Sequence, residues 1–164
     1  MTSHTLSKGE KTRLNILRAT LRVIASAGRS GVTHRAVAKE AGVSLSLTTY
    51  YFKDLSELLI DAFRLYKEEL HQQLAPIFLV YQEDVSLLQQ YRQQGDHEGA
   101  EKVVTAIVDQ LSDFVFTQVE SDPQGLMVEM SFFFDMHMPE NFRQAAYQLR
   151  QRFVDDLAEL CEGI

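Results

Sequence analysis

An all-α protein is what this chain of 164 residues predicts. Three observations carry the expectation. Apolar residues recur at three- and four-residue intervals along most of the sequence. No strand-like alternation interrupts them, and only three Pro break the pattern. Capping residues stand where the periodic runs begin, among them Thr33, Ser44, Asp54 and Asp122. At 45% hydrophobic, the chain can bury a core in one or two small domains.

The first helix is expected over about 8–27, with Leu14, Leu17, Leu21 and Ile24 on one apolar stripe. Gly28 and Gly31 end it and make a turn. A second helix, about 33–40, has Thr33 as its N-cap. It must end at Gly42, because glycine accepts the left-handed backbone that stops a helix. Ser44 then caps a third helix, about 44–51. The fourth begins with Asp54 and Glu57 as a capping box and carries Leu58, Leu59, Ala62, Phe63, Tyr66 and Leu70 toward Pro76. Pro76 either kinks it or starts a new helix, about 77–93. Gly95-Asp96-His97-Glu98-Gly99 reads as a loop. A long helix of about 100–120 carries Val103, Ile107, Leu111, Phe114, Val115 and Val119. Asp122-Pro123 caps and opens a helix of about 123–137, and Pro139 opens the last.

The segment Thr33–Phe52, THRAVAKEAGVSLSLTTYYF, is the most informative part of the chain. Two short helices joined by a turn containing glycine form a helix-turn-helix, whose second helix lies in the DNA major groove. Charge points the same way. Residues 1–55 hold nine Lys/Arg against three acids, a net charge of +6. The remaining seven bases and twenty acids give −13. A basic head can meet phosphates while an acidic body is repelled by them.

The same segment resembles the TetR family of bacterial transcriptional regulators, over roughly residues 10–66. Arg13, Ile16-Leu17, Ala19, Val23-Ile24 and Gly28 fit the family's first helix. Thr33, Val37-Ala38 and Ala41-Gly42-Val43-Ser44 fit its second helix and turn. Tyr51-Phe52-Lys53 and Glu57-Leu58-Leu59 fit the end of its recognition helix and the start of its fourth. The resemblance implies a helix-turn-helix DNA-binding domain over 1–54 and a helical ligand-binding and dimerisation domain over 55–164. It implies a one-component regulator, a repressor in this reading. A homodimer would bind a palindromic double-stranded operator, with two recognition helices about 34–36 Å apart. The alternative is a DNA-binding or adaptor protein that needs no ligand and has a packed C-terminal bundle.

On the third helix, Val43, Thr48 and Tyr51 are expected inward. Ser44, Leu45, Ser46, Leu47, Thr49 and Tyr50 are then left to face DNA. Hydroxyls suit phosphate oxygens, and Leu suits thymine methyl groups. Thr33 and Arg35 open the second helix toward phosphate, and Lys53 is a phosphate anchor by its place in the family pattern. Leu45-Ser46 stand where Lys-Gly is frequent in the family, Thr49 where Tyr is, and Leu55 where Lys is. Either two phosphate contacts are missing, or Tyr50 and Arg13 supply them.

The resemblance implies that the second half binds an effector. Its Phe and Met content suits a small apolar or aromatic molecule against Phe63, Tyr66, Phe114, Met127, Met130 and Phe134. Phe132-Phe133-Phe134 points large apolar groups around most of a helix, which must be buried on several sides. With the stripe Phe142, Leu149, Phe153, Leu157 and Leu160, this places a dimer interface at Phe133, Leu149, Phe153 and Leu157. Most of the family continues into another long helix. Either this chain pairs through its helices of 123–137 and 139–162, or a terminal segment is missing.

No enzymatic signature, metal site or cofactor is expected. The five His are scattered, with no pair at three or four residues, and no phosphate-binding Gly-rich loop occurs. The single Cys161 permits no internal disulfide, which fits a cytoplasmic protein. The N-terminus lacks a signal peptide's apolar core. The longest apolar run, Ala75–Tyr81, is too short for a bilayer, so no membrane association is expected.

Overall fold

A computed structural model describes the backbone of residues 6–133 and of positions 140, 143–144, 146–148, 151, 154–155 and 158, with side chains except at 74–80 and 133. Among the described residues the fold is all-helical. Helix α1 is Lys8–Ala27, followed by a single 3-10 turn at Arg29–Gly31. Then come α2 at His34–Ala41, α3 at Leu45–Tyr51, α4 at Leu55–Gln94, α5 at His97–Ser121 and α6 at Pro123–Phe133.

Each early boundary comes from a local cap. Ser7 and Glu10 close a capping box at the start of α1, in which Ser7 N donates to the Glu10 carboxylate at 2.7 Å. Thr33 Oγ1 accepts from Ala36 N at 3.0 Å, and Ser44 Oγ accepts from Leu47 N at 3.3 Å. The Asp54 carboxylate accepts from Ser56 N at 2.9 Å, the second N–H of α4.

Two sequence expectations need correction. The backbone stays helical through Pro76, so α4 is one helix of 40 residues and no new helix begins there. Proline removes one backbone hydrogen bond, a local loss. Buried residues on both sides, Leu58, Leu59, Ala62 and Phe63 before it and Tyr81, Val85 and Leu88 after it, outweigh that loss. The loop read at 95–99 shrinks to Gly95-Asp96. Asp96 accepts from Gly99 N at 2.9 Å and caps α5 three residues earlier than expected. Gly99 is there for space: a Cβ would sit 2.6 Å from the Tyr91 ring.

The chain forms two compact units. One comprises residues 1–66 and 124–146, the other 67–123 and 147–164. The first has a core of Ile16, Leu17, Ala19, Val23 and Ile24 from α1, Val37 and Ala38 from α2, Phe52, then Leu58, Leu59, Ala62 and Phe63 from α4. Val128 and Phe132 of α6 are buried in the same unit, with the rings of Phe132 and Phe63 4.0 Å apart. In the second unit, the apolar residues of α5 are divided between core and surface. Val103 is buried, whereas Leu111, Val115 and Val119 are exposed. With Val104 and Val108 they form a row at four- and three-residue spacing.

Candidate nucleic-acid interface

Three contacts fix α2 against α1. Their apolar faces pack together, Asn15 Nδ2 donates to the Ala41 carbonyl at 2.9 Å, and Arg22 Nε pairs with Glu40 Oε1 at 2.6 Å. The first of these polar contacts satisfies a carbonyl that the end of α2 would otherwise leave open. Neither is visible in sequence, because each joins residues 26 or 18 positions apart by side chains with ordinary helical roles.

The turn between α2 and α3 is a Schellman motif. Gly42 has φ +66° and ψ 31°, its N–H bonds Lys39 O at 3.3 Å, and Val43 N bonds Ala38 O at 3.0 Å. It delivers the chain at Ser44, whose side chain starts α3. Thr48 then anchors α3 from below. It is fully buried, and its hydroxyl donates to Leu45 O at 2.8 Å. Phe52 ends the helix with its N–H on Thr48 O at 2.9 Å and its ring fully buried.

Anchoring Thr48 and Phe52 inward turns a specific set outward. Thr33, Arg35, Ser44, Leu45, Ser46, Thr49, Tyr50 and Lys53 are exposed, and Leu47 is half-buried. Tyr50 stands out most, at 75% exposure, held edge-on to Tyr51 with ring centres 5.2 Å apart. Val43 and Tyr51, expected inward with Thr48, are half-buried. Lys8, Lys11 and Lys39 add exposed cations to the same unit.

The hydroxyls differ in what they have left to offer. Thr33 accepts from a backbone N–H as a cap and keeps its own O–H to donate to a phosphate oxygen, whereas Ser44, also a cap, shares a hydrogen bond of 3.0 Å with the Ser46 hydroxyl, so one O–H of that pair is left to donate. Thr49 instead donates to carbonyls of its own helix, Ser46 O at 3.1 Å and Leu45 O at 3.2 Å. A phosphate offers only acceptors, so Thr49 presents its methyl group unless its rotamer changes.

Arg13 is placed apart from this set. Its guanidinium pairs with the Asp61 carboxylate of α4 and lies over the Phe52 ring, 4.9 Å from the centroid. The other Asp61 oxygen accepts from Arg64 Nη1 at 2.6 Å.

The residues expected to form a pocket are not gathered in one unit. Phe63, Tyr66, Met127 and Met130 belong to the first, and Phe114 to the second. Phe63 is buried between Phe132 and Tyr66, and Tyr66 Oη donates to Gly125 O at 3.1 Å. Met127 and Met130 are exposed and Phe114 is half-buried. Phe134, Leu149, Phe153 and Leu157 lie outside the described residues, as does the Phe133 side chain.

No helix among the described residues is long and apolar enough to cross a membrane. The family model described as "Bacterial regulatory proteins, tetR family" matches residues 16–62, which span α1 to the first part of α4. The HTH-type transcriptional regulator PksA of Bacillus subtilis (strain 168) is 41% identical over 68 residues, 42% of this chain. The chain covers only 33% of that relative's length. A TetR-family structure from Streptomyces coelicolor A3 superposes with a TM-score of 0.63 at 21% identity, covering 90% of this chain and 74% of the other. The multidrug binding protein EbrR, complexed with imidazole, gives a TM-score of 0.56 at 22% identity, covering 95% of this chain and 72% of its own. These two share the fold. Residues 16–62, from α1 through α2 and α3 to the start of α4, thus form a domain that matches the tetR family of bacterial regulatory proteins.

Proposed function

We propose that the chain is a one-component transcriptional repressor. As a homodimer it binds a near-palindromic DNA operator through Thr33, Arg35, Ser44, Leu45, Ser46, Leu47, Thr49, Tyr50 and Lys53, and a small apolar or aromatic ligand releases it. The observation that carries this is the exposed face of α3, held outward by the buried Thr48 and Phe52 beside a capped α2. Leu45 and Leu47 meet thymine methyl groups in the major groove. The hydroxyls of Thr33 and Ser44, with Arg35 and Lys53, meet the backbone. Two-fold pairing doubles the contact and dictates the symmetry of the operator.

Enrichment of DNA fragments from a randomised pool, followed by footprinting, tests this. An inverted repeat should be protected, and affinity should fall steeply with salt. Absence of any sequence preference over random DNA at low salt would end the regulator reading.

One observation favours the ligand-independent alternative. Phe63 and Tyr66, expected to line a pocket, are already engaged by Phe132 and Gly125. A thermal-shift screen of aromatic acids, fatty acyl compounds and cationic drugs separates the two readings. An effector raises the melting temperature and weakens operator binding, and operator weakens effector binding by the same factor. If no compound does both, the ligand-free reading stands.

A further inference from the structure

We propose that Asp61 is a positioning residue for DNA binding. It holds the Arg13 guanidinium across the Phe52 ring at the end of the recognition helix, so an acid that does not touch DNA raises affinity for DNA. This rests on the DNA-binding reading above and gives Arg13 a different role from that of phosphate contact.

The geometry is specific. Phe52 is fully buried and stands between the exposed Tyr50, with its neighbour Tyr51, and Lys53. Whatever fixes the Phe52 ring fixes the direction in which Tyr50 and Lys53 leave α3. Arg13 of α1 covers one face of that ring, 4.9 Å from its centre. A guanidinium is attracted to a ring face, but Arg13 remains 43% exposed, and water or phosphate competes for it. Asp61 settles the competition. Its side chain is only 15% exposed, and it accepts from Arg13 on one oxygen and from Arg64 on the other. The carboxylate of Asp61 thus joins α4 to Arg13 of α1, and Arg13 in turn reaches Phe52, the residue that ends α3.

Charge alone predicts the opposite. Asp61 lies in a basic unit that has to approach phosphates, so removing it should strengthen binding. Positioning predicts weakening, and the sign of the effect decides between them.

The test uses the full chain and a 30-base-pair duplex that the unaltered protein enriches from a random pool, titrated across a salt series. Asp61→Asn keeps the shape and removes the charge. It should weaken binding about five- to thirtyfold, with the salt slope unchanged. Arg13→Gln should do the same, and the double variant should bind no worse than either single one, because the residues act as one unit. Tighter or unaltered binding by Asp61→Asn would overturn the proposal. So would a salt slope reduced by about one counterion in Arg13→Gln, which is the mark of a phosphate contact. Should Asp61→Asn fail to fold, Arg13→Lys serves, since an ammonium keeps the charge but cannot bridge carboxylate and ring face together. It too should bind more weakly at unchanged slope, and wild-type affinity would refute the idea. Side-chain proton shifts of Arg13 give a readout without DNA: ring-current displacement by Phe52 should vanish in Asp61→Asn, and its persistence would overturn the proposal. If the unaltered protein enriches no sequence, the DNA-binding reading fails, while the ring-current signal still reports whether Asp61 sets Arg13 on Phe52.

Discussion

The Tyr66 hydroxyl donates to the Gly125 carbonyl at 3.1 Å across 59 residues of chain. Together with the Phe63–Phe132 ring contact, it makes α6 part of the same compact unit as the DNA-binding helices. Phe132→Ala removes a nearly fully buried ring and should destabilise the protein by about 3–5 kcal/mol. Tyr66→Phe removes only a half-buried hydrogen bond and should cost about 1 kcal/mol. Denaturant unfolding monitored by helical signal checks both. Equal costs would mean that α6 is not packed as described.

The Schellman turn makes a prediction about backbone rather than side chain. Nothing lies within 4 Å of a Cβ placed on Gly42, so Gly42→Ala meets only the strain of a positive φ. That strain is about 1–2 kcal/mol, and Gly42→Asn should cost less because Asn tolerates the left-handed region better. Gly31→Ala should fail for a different reason, since its Cβ would fall 2.5 Å from that of Ala27. Unfolding midpoints for the three variants check this; Gly42→Asn should rank as the mildest of them.

Tyr50 and Lys53 should act differently from Leu47 in DNA binding. Lys53→Ala should weaken binding to all sequences alike and flatten the salt dependence by about 0.9 in slope. Tyr50→Ala should also weaken binding without regard to sequence. Substitution of Leu47 or Ser46 should instead change which sequences are enriched. Thr49→Val should be nearly neutral, because the Thr49 hydroxyl is spent on its own helix. Anisotropy titrations against selected and random duplexes distinguish these outcomes.

Burial raises the Tyr81 hydroxyl above its ordinary pKa of 10, and Asp84 one turn away pushes it further. A group whose pKa is raised by folding stabilises the fold fully below its unfolded value and loses that contribution as pH climbs through the folded one. Stability should therefore fall as pH rises above 10. Asp84→Asn should move the ultraviolet titration of Tyr81 only partway back, because burial is the larger cause. A full return to 10 would show that Tyr81 is solvated.

The N-terminal helices are legible in the sequence because their boundaries are set by local chemistry. Thr33, Gly42 and Ser44 each act on backbone within a few residues, and each cap forms as expected. The start of α5 is hidden because Gly99 resembles a loop glycine, whereas it answers to the Tyr91 ring eight residues earlier. Pro76 invites a break that does not occur, since a propensity term yields to burial on either side. The α6 contacts with α4 are not legible at all. Phe63 and Phe132 are two apolar residues among many, and nothing in periodicity pairs them across 69 positions. The place of Arg13 is concealed for the same reason, because its partner Asp61 is 48 residues away.

The exposed Lys8, Lys11, Arg35, Lys39 and Lys53 have a consequence at the bench. A chain of net charge −7 is expected to pass through a polyanionic resin near neutral pH. Adsorption, however, follows local clusters of charge rather than the net value, and residues 1–55 are cationic while the remainder is anionic. The protein should be retained on heparin at low salt and also on an anion exchanger, eluting from each at its own ionic strength.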